Sequence, residues 1–209
     1  MNRIDHRKEL DTIIDGLTRR PRLLLHSCCA PCSSYCLVYL LPYFDITCFY
    51  CNPNITDTDE YEKRASELER LVAALNAEYR DSVPGFSSIN VIIGEHEPDV
   101  FLNEVKRQSL EACPEGGSRC EMCFSMRLKK TYEEAAAGGF DYFTTTLTIS
   151  PLKDAQLINR IGYDIASGGG VMWLPSDFKK KDGYKQSIEL SKKYGLYRQN
   201  YCGCEYSKP

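Results

Sequence analysis

Cysteines in three widely separated groups constrain this fold more than any other feature of the sequence. Seven of the eleven cysteines belong to these groups. Small structural zinc modules bind through cysteines that lie much closer together, so a zinc knuckle is not expected. If these thiols share a centre, the whole fold must bring them together. The groups are Cys28, Cys29 and Cys32; Cys120 and Cys123; and Cys202 and Cys204.

The number of cysteines also indicates a reducing environment. A secreted chain so rich in cysteine would carry disulfides, but an odd number argues against a complete disulfide framework. The first twenty residues contain no apolar segment typical of a signal peptide, and no apolar run is long enough to span a bilayer. We therefore expect a cytoplasmic protein with no membrane partner, whose cysteines bind metal or carry out redox chemistry.

Short apolar strands alternate with helices along the chain. This alternation predicts one α/β domain over residues 1–209, with a Rossmann-like, mostly parallel sheet and helices on both faces. Cysteine-bearing loops are expected at the carboxyl edge of the sheet, with the C-terminal CGC tail folding back to them. Strands are predicted at 22–26, 45–50, 88–93, 141–147 and 171–174, and helices at about 5–19, 33–41, 57–79, 98–107, 119–137, 152–167 and 182–194.

The two CxxC pairs supply four thiolates, which is enough for a tetrahedral zinc ion or a [4Fe–4S] cluster. Both pairs lie near predicted helix starts, where unpaired amides and the helix dipole favour the thiolate. A thioredoxin-like dithiol explains either pair alone, but not two pairs together with CC and CGC segments. The expected cluster ligands are Cys29, Cys32, Cys120 and Cys123.

The remaining grouped cysteines predict a second site. Cys28, Cys202 and Cys204 would form a three-thiolate site with an open position, because adjacent Cys28 and Cys29 are expected to point in different directions. An open position is typical of a reactive metal ion rather than a structural one. The ungrouped cysteines are expected to be small buried hydrophobes: Cys36, Cys48, Cys51 and Cys113.

Basic and aromatic residues in the second half of the chain favour contacts with RNA. The net charge of −3 gives no overall basic signature, so any such surface must be local. The tail interleaves aromatic and basic side chains, a composition suited to single-stranded RNA. A solvated surface is the alternative of equal weight. The candidate phosphate contacts are Lys179, Lys180, Lys181, Lys185, Arg198, Arg127, Lys129 and Lys130, with Tyr194, Tyr197 and Tyr201 as stacking candidates.

Six segments in register resemble the cobalamin-independent epoxyqueuosine reductases, a family formerly described as a domain of unknown function. The resemblance covers most of the chain from Leu23 to Ser207. The segments are LLLHSCCAPCS, FYCNPNITDTDEYEKR, GGSRCEMCFSMRL, GFDYFTTTLTISPLKD, SDFKKKDGY and YRQNYCGCEYS.

The resemblance implies an oxidoreductase that acts on epoxyqueuosine at the wobble position of the tRNA anticodon. The reaction is the last step of queuosine synthesis and removes the epoxide oxygen as water. The family implies a [4Fe–4S] cluster, one additional metal ion expected to be iron, and no cobalamin. The implied partners are queuosine-family tRNAs and an external electron donor. The cluster maps onto Cys29, Cys32, Cys120 and Cys123, and the second metal onto Cys28, Cys202 and Cys204.

One departure from the family pattern concerns Cys32, where some relatives have an Asp. A set made only of cysteine would shift the cluster potential. A proton donor is also needed for the leaving oxygen, and the sequence leaves four candidates open. These are Asp177, Lys180, Tyr201 and His26, while Lys179, Lys181, Arg198 and Tyr197 are the expected RNA contacts.

Three alternatives remain at this stage. A tRNA-thiolation enzyme would need a phosphate loop of the SGGxDS type after the first strand, where this chain has HSCCAPCS, so use of ATP is disfavoured. An iron–sulfur or metal carrier would not need the Thr-rich segment or the aromatic, basic tail. A structural zinc protein would be colourless when purified without oxygen.

Overall fold

A computed structural model describes residues 4–208 of the chain. The strands are β1 (Arg22–His26), β2 (Asp45–Tyr50), β3 (Asn90–Ile93), β4 (Tyr142–Thr145) and β5 (Met172–Trp173). The helices are α1 (His6–Asp15), α2 (Ala30–Leu40), α3 (Thr58–Tyr79), α4 (Pro98–Arg107), α5 (Ser118–Ala137), α6 (Ala155–Ala166) and α7 (Gly183–Lys193). Two 3-10 turns cover Thr146–Ile149 and Glu205–Ser207.

The five strands form one sheet in the order β3-β2-β1-β4-β5, and every neighbouring pair is parallel. This is the strand order of the Rossmann-like folds, so the predicted α/β architecture is confirmed. Whether residues 1–209 form a single domain stays a prediction, because residues 1–3 and 209 lie outside the described range. Within residues 4–208, each helix is too short or too polar to cross a bilayer.

The central strand β1 is buried on both faces, as the run of three leucines predicted. Leu23 and Leu25 pack into the core beneath α1, α2 and α3, whereas Leu24 packs on the opposite face against α5 and α6. Alternate residues of a strand point to opposite faces, so consecutive leucines serve two cores. Helices therefore cover both sides of the sheet and leave its carboxyl edge for the loops.

Several element boundaries differ from the predicted ones for local reasons. Helix α2 begins at Ala30 rather than at 33, because Pro31 fits the first turn, where no amide partner is needed. Helix α1 ends at Asp15, where the amide of Gly16 closes the last turn. Strand β4 stops at Thr145, whose hydroxyl accepts a hydrogen bond from the Leu147 amide and turns the chain into a 3-10 turn.

Candidate metal centre

Three cysteines meet where β1 ends and α2 begins. The Sγ atoms of Cys28, Cys29 and Cys32 all lie within 4.8 Å of one another, and those of Cys28 and Cys29 are 3.8 Å apart. Ligands at about 2.3 Å from one tetrahedral ion lie about 3.8 Å from each other. These three sulfurs thus have the spacing of ligands to a single metal ion. The expectation that Cys28 and Cys29 point in different directions is wrong.

Thr146 fixes the position of Cys28 from across the sheet edge. Its Oγ1 accepts a hydrogen bond from the Cys28 amide at 3.2 Å and donates to the Cys28 Sγ at 3.4 Å. The 3-10 turn after β4 brings this hydroxyl beside the loop after β1, because both strands end at the same edge. The Thr-rich segment therefore supports the cysteine loop as well as forming a strand.

The other four grouped cysteines surround a second, smaller cavity. Cys120 and Cys123 lie in the first turns of α5, and Cys202 and Cys204 come from the tail. The Gly116 amide donates to Cys120 Sγ at 3.2 Å, so a backbone dipole already faces this sulfur. Burial raises the pKa of the Cys123 thiol to about 12, so a cation that binds this sulfur has to displace its proton.

The tail is held against α3 and the loop after β2. The Cys202 carbonyl accepts hydrogen bonds from Arg64 Nη1 at 3.1 Å and from Asn54 Nδ2 at 3.5 Å. Gly203 has a φ of +102°, and a Cβ there would lie 2.7 Å from Ile55 Cγ1. A glycine is therefore required between the two tail cysteines, both for its backbone conformation and for space.

A larger cavity of about 350 Å³ opens beside the three converging cysteines. Cys28, Cys32 and Cys202 lie on its wall, and Leu147 and Ile149 form an apolar side. Such a volume falls at the low end of the range typical of small-molecule sites. Cys202 lines both cavities, so the two groups of thiols border adjacent spaces.

Lys153 also lines both cavities, although sequence reasoning did not single it out. Burial alone would lower the pKa of its ammonium group, but the electrostatic influence of the neighbouring cysteines Cys202, Cys28 and Cys32 outweighs burial and raises it. The side chain therefore stays a cation. The sequence segment SPLKD could have identified Lys153, because it follows a predicted strand. Residues that follow parallel strands lie at the carboxyl edge of the sheet, where ligands bind in such folds.

The four proton-donor candidates lie in different environments. Tyr201 lines the larger cavity. Lys180 forms an ion pair with Asp5 at 2.9 Å, and Asp177 forms one with Lys179 at 2.9 Å. None of Lys180, Asp177 and Lys179 belongs to the lining of either cavity.

His26 is completely buried beneath the cysteine loop. Its Nδ1 lies 2.8 Å from Thr145 Oγ1, and its Nε2 lies 3.2 Å from both Arg127 Nε and the Cys51 carbonyl oxygen. Burial lowers the pKa of His26 to about 3, so the ring is neutral at pH 7.

The candidate RNA contacts are mostly engaged with acidic side chains. Lys181 pairs with Asp11 at 2.8 Å, and the Tyr197 hydroxyl donates to Glu60 at 3.1 Å. Arg198 lies on the wall of the larger cavity and donates to Ser191 Oγ at 3.0 Å. As RNA contacts these residues stay predictions.

Arg127 is buried, whereas the sequence predicted it at the surface. Its side chain is only 1% exposed, so the expectation that it contacts phosphates is wrong. The reason is its place in α5, one turn after Cys123, which puts both residues on the inward face of the helix. Of the ungrouped cysteines, Cys36, Cys48 and Cys51 are buried as expected, and Cys113 is half-buried.

A known protein family matches most of this chain, including all seven grouped cysteines. The model of the family described as "Epoxyqueuosine reductase QueH" matches residues 23–209. A Staphylococcus epidermidis protein named epoxyqueuosine reductase QueH is 43% identical over 98% of this chain and 85% of its own length. Proteins of the same name from Streptococcus pyogenes and Thermotoga maritima are 44% and 35% identical, over 90% and 88% of this chain and 71% and 89% of their own lengths.

Proposed function

Because this chain belongs to the epoxyqueuosine reductase QueH family, we propose that it reduces epoxyqueuosine in the tRNA anticodon loop to queuosine. In this reaction both C–O bonds of the epoxide break and a C=C double bond forms between its two carbons. The oxygen takes up two protons and two electrons and leaves as water. The electrons come from an external low-potential donor, and the activity is that of an oxidoreductase.

The observation that carries this proposal is the position of the converging cysteines on the wall of a cavity. Cys28 and Cys32 face a space of about 350 Å³, which suits one small group of a nucleotide that is turned out of its stack. Reactive sulfur ligands therefore border the place where a substrate can bind. A purely structural metal site would be closed to such a space.

We propose that the seven grouped cysteines hold a [4Fe–4S] cluster and one additional metal ion, iron. Thiolates suit both, since they are the usual ligands of iron–sulfur clusters and of soft or borderline ions. The sulfur spacing favours a division different from the one expected from sequence, with Cys28, Cys29 and Cys32 around the single ion. The cluster ligands would then be Cys120, Cys123, Cys202 and Cys204. When bound, these centres supply single-electron transfer and Lewis-acid polarisation.

Residues of the chain itself bind and orient the substrate. We assign the apolar wall, including Leu147 and Ile149, to water exclusion around the cyclopentane ring. The Lys153 ammonium group faces the same space and donates a hydrogen bond to the epoxide oxygen, on which negative charge develops as the C–O bonds break. Tyr201 and Arg198 at the outer wall contact the base and the phosphate backbone.

The test begins with purification without oxygen, followed by analysis of iron, zinc and sulfide and a visible spectrum. About four sulfides and four to five irons per chain, with a broad brown absorbance, are expected. The protein is then given dithionite and tRNA that carries epoxyqueuosine, and the nucleosides are analysed by mass spectrometry. Queuosine is the expected product.

Two variants sharpen this test. Cys202→Ser should lose most turnover, whereas Cys36→Ala, a buried cysteine outside the three groups, should keep it. Stoichiometric zinc without sulfide would contradict the redox mechanism. A full iron content with no change in the tRNA nucleoside would contradict the proposed substrate.

A further inference from the structure

Arg127 is a buried cation that sits directly behind the cysteine centre. Its side chain is 1% exposed and makes three contacts through its three nitrogens. Nε donates to His26 Nε2 at 3.2 Å, and Nη2 donates to Asn52 Oδ1 at 2.5 Å. Nη1 lies 4.0 Å from Cys123 Sγ. The guanidinium is thus fixed in direction, with one edge turned towards a grouped cysteine.

The charge of Arg127 has no carboxylate partner among residues 4–208. Two other buried arginines do have one, since Arg7 pairs with Asp11 at 2.9 Å and Arg64 pairs with Glu60 at 2.7 Å. The fourth, Arg119, donates to three backbone carbonyls instead, those of Leu110, Glu111 and Cys113. Arg127 instead contacts an imidazole, an amide and a thiol. A buried charge without a counter-charge is strongly unfavourable, so a negative group is expected within the same region.

The neighbours of Arg127 restrict where that negative charge can be. The His26 ring and the Asn52 amide both accept hydrogen bonds from the guanidinium, but neither group carries a negative charge that would compensate it. Cys123, whose Sγ lies 4.0 Å from Nη1, is the contacting group that can become an anion, because a cysteine that binds metal does so as a thiolate. The counter-charge therefore belongs to the cysteine centre itself, which must be anionic when it is assembled.

We propose that Arg127 is a positioning residue whose permanent charge holds the cysteine-bound centre in place and raises its reduction potential. This inference rests on the proposed function, because it concerns the iron–sulfur cluster proposed above. Reduction adds negative charge, and a fixed cation nearby stabilises the reduced form more than the oxidised form. Nη1 faces Cys123, one of the four cysteines assigned to the cluster.

The experiment compares reduction potentials in proteins purified without oxygen. Arg127→Gln removes the charge, Arg127→Lys keeps it, and Asn52→Asp places a carboxylate against the unchanged guanidinium. Arg107→Gln is the control, because it removes an arginine that is 69% exposed. Iron and sulfide are measured first, and the cluster potential is then titrated with dithionite and followed by visible absorbance and electron paramagnetic resonance.

The potentials of Arg127→Gln and Asn52→Asp should fall below that of the parent, while Arg127→Lys should stay closer to it and Arg107→Gln should not change. If Arg127→Gln and Asn52→Asp lose the cluster and Arg127→Lys keeps it, the charge requirement is also supported. Unchanged potentials in the two charge variants, or equal loss of the cluster in all three site variants, would overturn the inference.

Failure of the proposed function gives a different result. A parent protein that contains zinc and no sulfide would contradict the iron–sulfur proposal before any variant is compared. The role of the charge is then tested by zinc retention against a chelator. Arg127→Gln should release zinc faster than Arg127→Lys, and equal rates would contradict the role of Arg127.

Discussion

At the scale of single residues, Thr146 has a role that can be separated from strand formation. Thr146→Val keeps the shape of the side chain but leaves the Cys28 amide without its acceptor and the Cys28 sulfur without its donor. Groups that orient metal ligands typically contribute about 10–100-fold to metal affinity or activity. We therefore expect Thr146→Val to reduce turnover by roughly tenfold and to weaken retention of the additional metal ion.

Thr144→Val is the matched control for this prediction. Thr144 is equally buried, but its hydroxyl donates to the Leu174 carbonyl and contacts no cysteine. Its substitution should lower the free energy of unfolding by about 1 kcal/mol and leave the metal content unchanged. The measurement is iron per chain after dialysis against a chelator. Equal iron loss in the two variants would show that the Thr146 effect is a general loss of stability.

Sequence reasoning identified the seven grouped cysteines but not which of them converge. The spacing of CxxC pairs can be read from the chain, whereas the 3.8 Å separation of Cys28 and Cys29 depends on side-chain direction. That direction is set by Thr146, which is distant in sequence. The burial of Arg127 was missed for a similar reason. An arginine is expected at the surface when only the sequence is known, and the folded structure is needed to show that this one points inward.

At the scale of elements, β1, β2 and α4 have the predicted bounds, and α3, α5 and α7 differ from theirs by one residue at one or both ends. Strands β1 and β2 have the predicted bounds because each lies between two other strands, and most of their side chains are apolar and buried. Edge strands β3 and β5 are shorter than predicted, since each pairs on one side only. The 3-10 turn that follows β4 was not predicted. It depends on the Thr145 hydroxyl, which accepts a hydrogen bond from the Leu147 amide and so competes with the hydrogen bonds that would continue the sheet.

The tail segment gives a prediction about Gly203. Gly203→Ala would force a Cβ to within 2.7 Å of Ile55 Cγ1 at a φ of +102°. The tail would have to move away from α3, so Cys202 and Cys204 would leave their positions. We expect this variant to lose most of its iron while the helix content stays unchanged by circular dichroism.

Gly169→Ala separates backbone strain from displacement of the tail. Gly169 has a φ of +81°, but a Cβ there meets nothing within 4 Å. Both variants carry a strain of about 1–2 kcal/mol, whereas only Gly203→Ala adds a steric clash near the cysteines. Iron loss of the same size in both would refute the proposed role of the tail contact.

Docking of α1 onto the fold depends on Asp11. Its carboxylate accepts hydrogen bonds from Arg7 at 2.9 Å, Tyr39 at 2.7 Å and Lys181 at 2.8 Å, and so joins α1 to α2 and to the segment before α7. Burial alone would raise the pKa of Asp11, but the hydrogen bonds from Lys181, Tyr39 and Arg7 outweigh burial and lower it to about 2.

A carboxyl group with a lowered pKa stabilises the folded state above its unfolded pKa, and this stability is lost as the pH falls to the folded pKa. For Asp11 that window runs from about pH 4 to about pH 2, and the contribution is about 2 kcal/mol. Urea unfolding should show Asp11→Asn to be less stable than the parent at pH 7, with a difference that shrinks below pH 4. A difference that is constant across pH would exclude this linkage.

At the scale of the whole molecule, the chain must bind an anionic tRNA although its net charge is −3. Much of the positive charge is already paired, as Lys179, Lys180 and Lys181 each contact an aspartate. Arg198 is different, because it lines the cavity and makes no ion pair among the described residues. We therefore expect a small number of phosphate contacts, concentrated at the mouth of the cavity.

The salt dependence of tRNA binding tests this distribution of charge. For single-stranded nucleic acid, the slope of log K against log salt is about −0.7 for each phosphate that is neutralised. Arg198→Gln should make the slope shallower by about 0.7, whereas Lys181→Gln should change it less, because its ammonium group is paired with Asp11. Arg22→Gln should have no effect, since Arg22 begins β1 and lies at the edge opposite the cysteines.

The three slopes distinguish local from diffuse recognition. If all three variants shift the slope equally, the tRNA contacts the protein over a broad surface and the cavity mouth has no special part in binding. If Arg198→Gln alone shifts it, one phosphate lies beside the cavity. The neighbouring nucleotide can then rotate out of its stack and place its cyclopentane ring beside Cys28, Cys32 and Lys153. Positive charge at this mouth is enough for such positioning, so an acidic chain can still act on RNA.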